Sequence, residues 1–164
     1  MLRKLLLTSM LLMGVSSFSQ SEIKIGNTIP EFKLWFTDGG TITENDILNK
    51  VVVFKFWFTS CLPCLLDIDE LNELVQEYES RDDVLFIAPA LDQKSIIQNF
   101  ISKNKFDFKI AYSSIETSQK FNPLQVYPSY FIVNKKGEFT YIDSASKKSE
   151  FENLKKALEE TLKE

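Results

Sequence analysis

The chain has 164 residues, 44% of them hydrophobic, with 14 phenylalanines and a formal net charge of −4. That is enough apolar material for one well-buried core, and an acidic balance with no run of like charge excludes a nucleic-acid-binding role. There is no histidine and there are only two cysteines, which excludes His-containing metal sites, a closed zinc site, and every Cys–His or Ser–His catalytic arrangement.

In chain order, Met1-Leu2-Arg3-Lys4 supplies a positive start, residues 5–15 a short apolar stretch, and Ser17 and Ser19 the small residues that a signal peptidase reads on either side of Phe18. Residues 1–19 are therefore expected to be a signal peptide, cleaved before Gln20, which implies an exported, periplasmic protein. The apolar stretch is short for a membrane span, and an uncleaved N-terminal anchor is the alternative. Residues 20–30 form an extended lead-in. Two short strands then flank Asp38-Gly39-Gly40, a hairpin turn signal, and Thr43 is placed to cap a short helix running to about Asn49.

Residues 51–58 are apolar except for Lys55, which suits a central buried strand. A helix is predicted over 62–80, where Leu65, Ile68, Leu71, Leu74 and Val75 recur at helical spacing. A buried strand follows at 84–88, and an amphipathic helix at 93–103 with Asp92 as its cap. A strand at 108–112 precedes a short helix capped by Ser113 or Ser114. Strands at 130–133 and 138–142 are joined by the turn Asn134-Lys135-Lys136-Gly137. Ser149-Glu150-Phe151-Glu152 is a capping box for a final helix. Strands alternating with helices, closed by a hairpin and a helix, imply an α/β sandwich with a mixed sheet.

Both cysteines fall in one motif, Cys61-Leu62-Pro63-Cys64, at the end of the 51–58 strand. At the first turn of a helix, Cys61 meets free backbone N–H groups and the positive end of the helix dipole, which favour its thiolate. Cys64 lies one turn on, within reach of a disulfide. One thiolate to attack and one thiol to resolve are the minimum for thiol–disulfide exchange. A purely structural bridge is the alternative, but so small a loop contributes only about 2 kcal/mol.

The element order, with C-x-x-C at a strand-to-helix turn, resembles the thioredoxin fold, and in particular its exported TlpA/ResA-like branch. The segment Phe56-Trp57-Phe58-Thr59-Ser60-Cys61-Leu62-Pro63-Cys64 is close to that branch's F-W-x-x-W-C-x-P-C. The segment 126–137, starting Val126-Tyr127-Pro128, resembles the stretch in which a cis-proline faces the active site. The insert at 91–109 is longer than in minimal thioredoxins. The resemblance spans residues 25–162. It implies a thioredoxin-like domain over 20–164, a three-layer α/β/α sandwich with a mixed central sheet and an N-terminal β-hairpin extension. It also implies a redox-active Cys61–Cys64 disulfide with no other cofactor and no metal. Three positions depart from the pattern. Ser60 replaces the usual tryptophan. Asp69 replaces a helix proline, so the helix is expected to lack the usual kink. Lys55 stands where thioredoxins themselves bury an aspartate.

On this reading Cys61 is the nucleophile and Cys64 the buried resolving thiol. Pro63 sets the first helical turn, where its missing N–H costs nothing. Pro128 as a cis-proline would turn the backbone of Tyr127 toward Cys61 to pair with a substrate segment. Tyr127, Ser60, Leu62 and Pro63 would then line the substrate groove. Asp67 has two readings, as acceptor of the Cys64 proton or as a solvated helix carboxylate. Lys55 also has two, as a buried partner of Asp67 tuning thiol acidity or as an edge lysine reaching water.

The function expected is an exported thiol–disulfide oxidoreductase acting on cysteine-containing exported proteins. The resemblance favours a reductant fed by a membrane thiol protein, with cytochrome c maturation as one such role. A peroxiredoxin-like peroxidase is an alternative on the same fold. It expects P-x-x-x-[TS]-x-x-C, where Phe54 and Phe58 stand instead, and an arginine near the thiolate, for which only Arg81 remains after residue 19. A redox-silent binding domain is the third reading.

Overall fold

The computed structural model describes residues 23–144 and 148–164. The predicted signal segment 1–19 lies outside the described residues, as does the side chain of Ser149 in the predicted capping box. Among the described residues the strands are β1 (Lys33–Phe36), β2 (Thr41–Thr43), β3 (Val51–Phe56), β4 (Val84–Pro89), β5 (Lys109–Tyr112), β6 (Ser129–Val133) and β7 (Phe139–Ser144). The helices are α1 (Leu62–Leu65), α2 (Ile68–Glu77), α3 (Lys94–Ile101), α4 (Ile115–Phe121) and α5 (Lys148–Thr161).

The strands form one sheet in the order β2-β1-β5-β4-β3-β6-β7. β3, β4 and β5 run parallel, whereas β1, β6 and β7 pair antiparallel with their neighbours. The β1–β2 hairpin extends the sheet beyond β5, and its turn takes positive φ at Gly39 and Gly40, which glycine adopts without steric cost. Thr43 opens a 3-10 turn, Glu44–Ile47, in which Asp46 Oδ2 accepts from the Thr43 amide at 2.8 Å.

Side-chain alternation on β3 divides the core in two. Val51, Val53 and Trp57 face one side and pack with Ile68, Leu71 and Leu74 of α2, Ile97 of α3, and Leu154 and Leu158 of α5. Val52, Phe54 and Phe56 face the other and pack with Phe32, Ile47, Phe121 of α4, Phe131 and Phe139. There the phenylalanines meet edge to face, as at Phe32–Phe54 and Phe121–Phe139, the arrangement the ring quadrupole favours. Helices on both faces of a mixed sheet make the three-layer α/β/α sandwich of a thioredoxin-like fold.

Three expectations about helices change. The helix predicted over 62–80 is two helices, separated at Leu66 and Asp67. The break needs no proline: Asp67 leaves helical geometry at φ −110°, ψ 6°, and its carboxylate is drawn toward the sheet. Asp92 does not cap α3, which starts after Gln93 without a side-chain cap. The Ser114 hydroxyl, expected to cap α4, instead donates to the Tyr112 carbonyl at 3.3 Å.

Candidate active site

β3 ends at Phe56, and five residues later the chain enters α1 with Cys61 as its N-cap. Cys61 and Cys64 form a disulfide with Cα atoms 5.2 Å apart. The Cys64 amide donates to Cys61 Sγ at 3.3 Å. The same donor, with the helix dipole, would stabilise a thiolate at that sulfur once the bond is reduced. The two cysteines differ slightly in exposure. Cys61 keeps 5% exposure and Cys64 none. Pro63 sits in the first turn of α1, exposed alongside Leu62 and Ser60. Leu62 and Leu66 are widely exposed apolar side chains beside the disulfide.

Beneath it lies a charged cluster. Lys55 is in the sheet interior, between β4 and β6, and is fully buried, so the edge-lysine reading does not hold. Its Nζ donates to the Cys64 carbonyl oxygen at 2.8 Å and pairs with Asp67 Oδ1. The Tyr130 hydroxyl donates to Asp67 Oδ2. Asp67 is therefore not a solvated helix carboxylate; both oxygens are engaged. The Lys55 ammonium also lies over the rings of Tyr130 and Phe106, 5.5 and 5.7 Å from their centroids. Burial pulls the Lys55 ammonium below its ordinary value, against the attraction of Asp67. Burial likewise pushes the Asp67 carboxyl above the usual range, and Lys55 opposes the rise. Each charge is costly to bury alone, and together they compensate.

The facing wall is the 122–129 segment. Ser129 is in register with Phe56, so Pro128 stands level with Trp57, just before the cysteine turn. The Tyr127–Pro128 peptide bond is cis. The Tyr127 ring meets Phe58 edge to face at 5.6 Å. Its hydroxyl donates to Gln125 Oε1 and bonds with Ser118 Oγ, both at 2.7 Å. Trp57, fully buried, packs edge-on against Phe100 and Phe106.

The structure thus joins Cys61, Cys64, Asp67 and Lys55 through contacts, with Pro128 and Tyr127 on the neighbouring loop and Ser60, Leu62 and Pro63 on the rim. Three residues were not assigned to the site from the sequence. Tyr130 is cross-strand from Lys55, a register the sequence does not print. Asp92 accepts from the Thr59 amide at 2.6 Å, tying the loop before Cys61 to the turn before α3. Asn122 is buried and donates to the Val126 carbonyl at 2.7 Å and to Ser129 Oγ at 3.3 Å, bracing the proline segment from both sides. Only Asn122 carried a signal, as a polar residue directly after a predicted helix.

A thioredoxin-like sheet with a C-x-x-C disulfide where its central strand turns into a helix defines a thiol–disulfide oxidoreductase. Residues 25–142 match the AhpC/TSA family, and the chain belongs to it. It is 26% identical over 147 residues to the thiol-disulfide oxidoreductase ResA of Bacillus cereus, covering 89% of this chain and 82% of that protein. It is 26% identical over 125 residues to the thioredoxin-like protein YneN of Bacillus subtilis, covering 74% and 73%. Its fold is shared with a crystal structure assigned as the thiol:disulfide interchange protein DsbE of Chlorobium tepidum. That match has a TM-score of 0.78 and 20% identity over 86% of this chain and 99% of the other.

Proposed function

We propose that this oxidoreductase is exported and reduces disulfides in other exported proteins, receiving its electrons from a membrane thiol protein. Export rests on the signal-like segment 1–19, and the direction of exchange on the resemblance to the TlpA/ResA-like branch. Cytochrome c maturation is one pathway that such a reductant serves. The observation that carries the exchange chemistry is the Cys61–Cys64 disulfide at the start of α1, where Cys61 keeps 5% exposure and Cys64 none. In the reduced protein the Cys61 thiolate attacks a substrate disulfide. That bond breaks, its electron pair leaves on one substrate sulfur, and a mixed disulfide forms. Cys64 then gives up its proton to Asp67 and attacks Cys61 Sγ. The second substrate thiolate leaves, and the Cys61–Cys64 bond is restored. Two electrons have passed from the dithiol to the substrate. Backbone groups at Tyr127, beside Pro128, would hold the substrate segment in extended form.

A peroxidase of that kind would need an arginine beside the thiolate. Arg81, the only arginine among the described residues, is bonded to Asp83 at 2.9 Å. It precedes β4 at the end of the sheet away from Cys61.

Replacing Cys64 by serine tests the proposal, because the mixed disulfide can no longer resolve. Stable adducts with exported cysteine proteins are expected in cells, lost again when Cys61 is also replaced. Substrates that accumulate as disulfides in cells lacking the protein would establish the reducing direction. An absence of adducts, or substrates accumulating as free thiols, would overturn it.

A further inference from the structure

We infer that Lys55 and Tyr130 are positioning residues that hold the Asp67 carboxylate ionised and aimed beneath the cysteines, ready to take the proton of Cys64. The inference deepens the exchange mechanism above and rests on it.

Asp67 would not be there by helix geometry alone. The cysteine helix breaks at this residue, and the side chain reaches the sheet because two donors meet it. Those donors come from two strands locked in register, Lys55 of β3 opposite Tyr130 of β6. Cross-strand partners project on one face, so ammonium and phenol stand side by side and take one carboxylate oxygen each. Lys55 also donates to the carbonyl of Cys64 at 2.8 Å. One buried cation therefore ties the base to the residue that it serves.

The donors matter because the surroundings favour the wrong protonation state. Burial pushes the Asp67 carboxyl toward its neutral form, and Glu70 of α2 adds to that push. A neutral carboxyl cannot accept a proton. Against this stand the Lys55 charge from β3 and the Tyr130 hydrogen bond from β6, both of which favour the ionised form. Cys64 of α1 is the remaining titratable group at the cluster. The clamp leaves capacity to accept, since a carboxylate with one bond to each oxygen keeps free lone pairs. The Cys64 S–H bond breaks toward an Asp67 oxygen, its electron pair stays on sulfur, and that sulfur bonds to Cys61 as the substrate sulfur departs. Asp67 keeps 16% side-chain exposure while Lys55 has none, so water can collect the proton from Asp67.

The test uses the reduced protein mixed with oxidised glutathione, following release of the second glutathione thiol against pH. It is paired with carbon-13 NMR titration of the Asp67 carboxyl in the disulfide form, which needs no turnover. Replacing Lys55 by methionine is expected to move the acid limb of the rate profile and the carboxyl titration to higher pH together. Resolution should then slow at least about tenfold on that limb. Tyr130→Phe should move both in the same direction by less. If Lys55→Met does not fold, Tyr130→Phe, which loses only a hydroxyl, decides by the same two measurements. A titration and a limb that stay in place would overturn the inference. Asp67→Asn tests the underlying mechanism separately: an acid limb that survives it removes Asp67 as the base, whatever the titrations show.

Discussion

The two ends of β3 carry the same chemistry in opposite settings. At its start Asp83 pairs with Arg81 and Lys135, each at 2.9 Å, with all three side chains about a third to half exposed. Near its end Asp67 pairs with Lys55 under the disulfide, where the lysine is sealed from water. At the exposed end the hydrogen bonds dominate, and Asp83 is held well below the usual carboxylate range. At the buried end loss of water dominates, and Asp67 moves upward although its cation is just as near. An ion pair is thus no fixed quantity: water hydrates and screens the first, whereas the second must be satisfied by the protein itself. Only the second can respond strongly to a change at the neighbouring sulfurs.

The comparison breaks most sharply if Lys55 is removed. Lys55→Ala leaves a cavity and an uncompensated Asp67, and is expected to cost about 3–5 kcal/mol in urea unfolding. A cost under about 1 kcal/mol would place the buried pair on the same footing as the exposed one. The pH dependence should carry the same signature. The folded state holds Lys55 below 10.5, so the unfolded chain binds the extra proton between the lowered value and 10.5. That group's contribution to stability therefore rises with pH through this window. Asp67 lies above 3.8 in the folded state, so its contribution falls as pH climbs from 3.8 toward the raised value.

A smaller effect is expected at Asp92, half-buried beside the cysteine turn. Asp92→Ala frees the Thr59 amide and should cost about 1–2 kcal/mol, with slower attack by Cys61. Asp92→Asn, which keeps an acceptor, should recover most of both. Equal losses in the two variants would show that the charge acts rather than the hydrogen bond. The smallest effect is expected from Asp83→Asn, where the urea midpoint should barely move and added salt should erase the difference. Its folded value lies below 3.8, so whatever it contributes is present above pH 3.8 and fades as pH falls.

Much of the fold was legible because it rests on local periodicity. The run at 51–58, the apolar stripe of α2 and the glycine turns each report their own element. The cysteine pair and Pro128 were legible as motifs. The helix break at Asp67 was not, since the stripe runs through it and the departure of Asp69 from proline pointed to an unbroken helix. Asp92 was misread because an aspartate before a helix looks like a cap, whereas here the Thr59 amide is the better-placed donor.

Sequence alone determined the class of chemistry. Two cysteines at C-x-x-C spacing after a buried strand, with no histidine anywhere, leave little beyond thiol–disulfide exchange. The tertiary structure decided what surrounds the sulfurs. Whether Lys55 reached water or lay sealed depended on β3 being flanked by β4 and β6, and whether Asp67 was solvated depended on Tyr130 standing opposite Lys55. Strand order and register are set by contacts far apart in the chain, and local patterning carries no record of them.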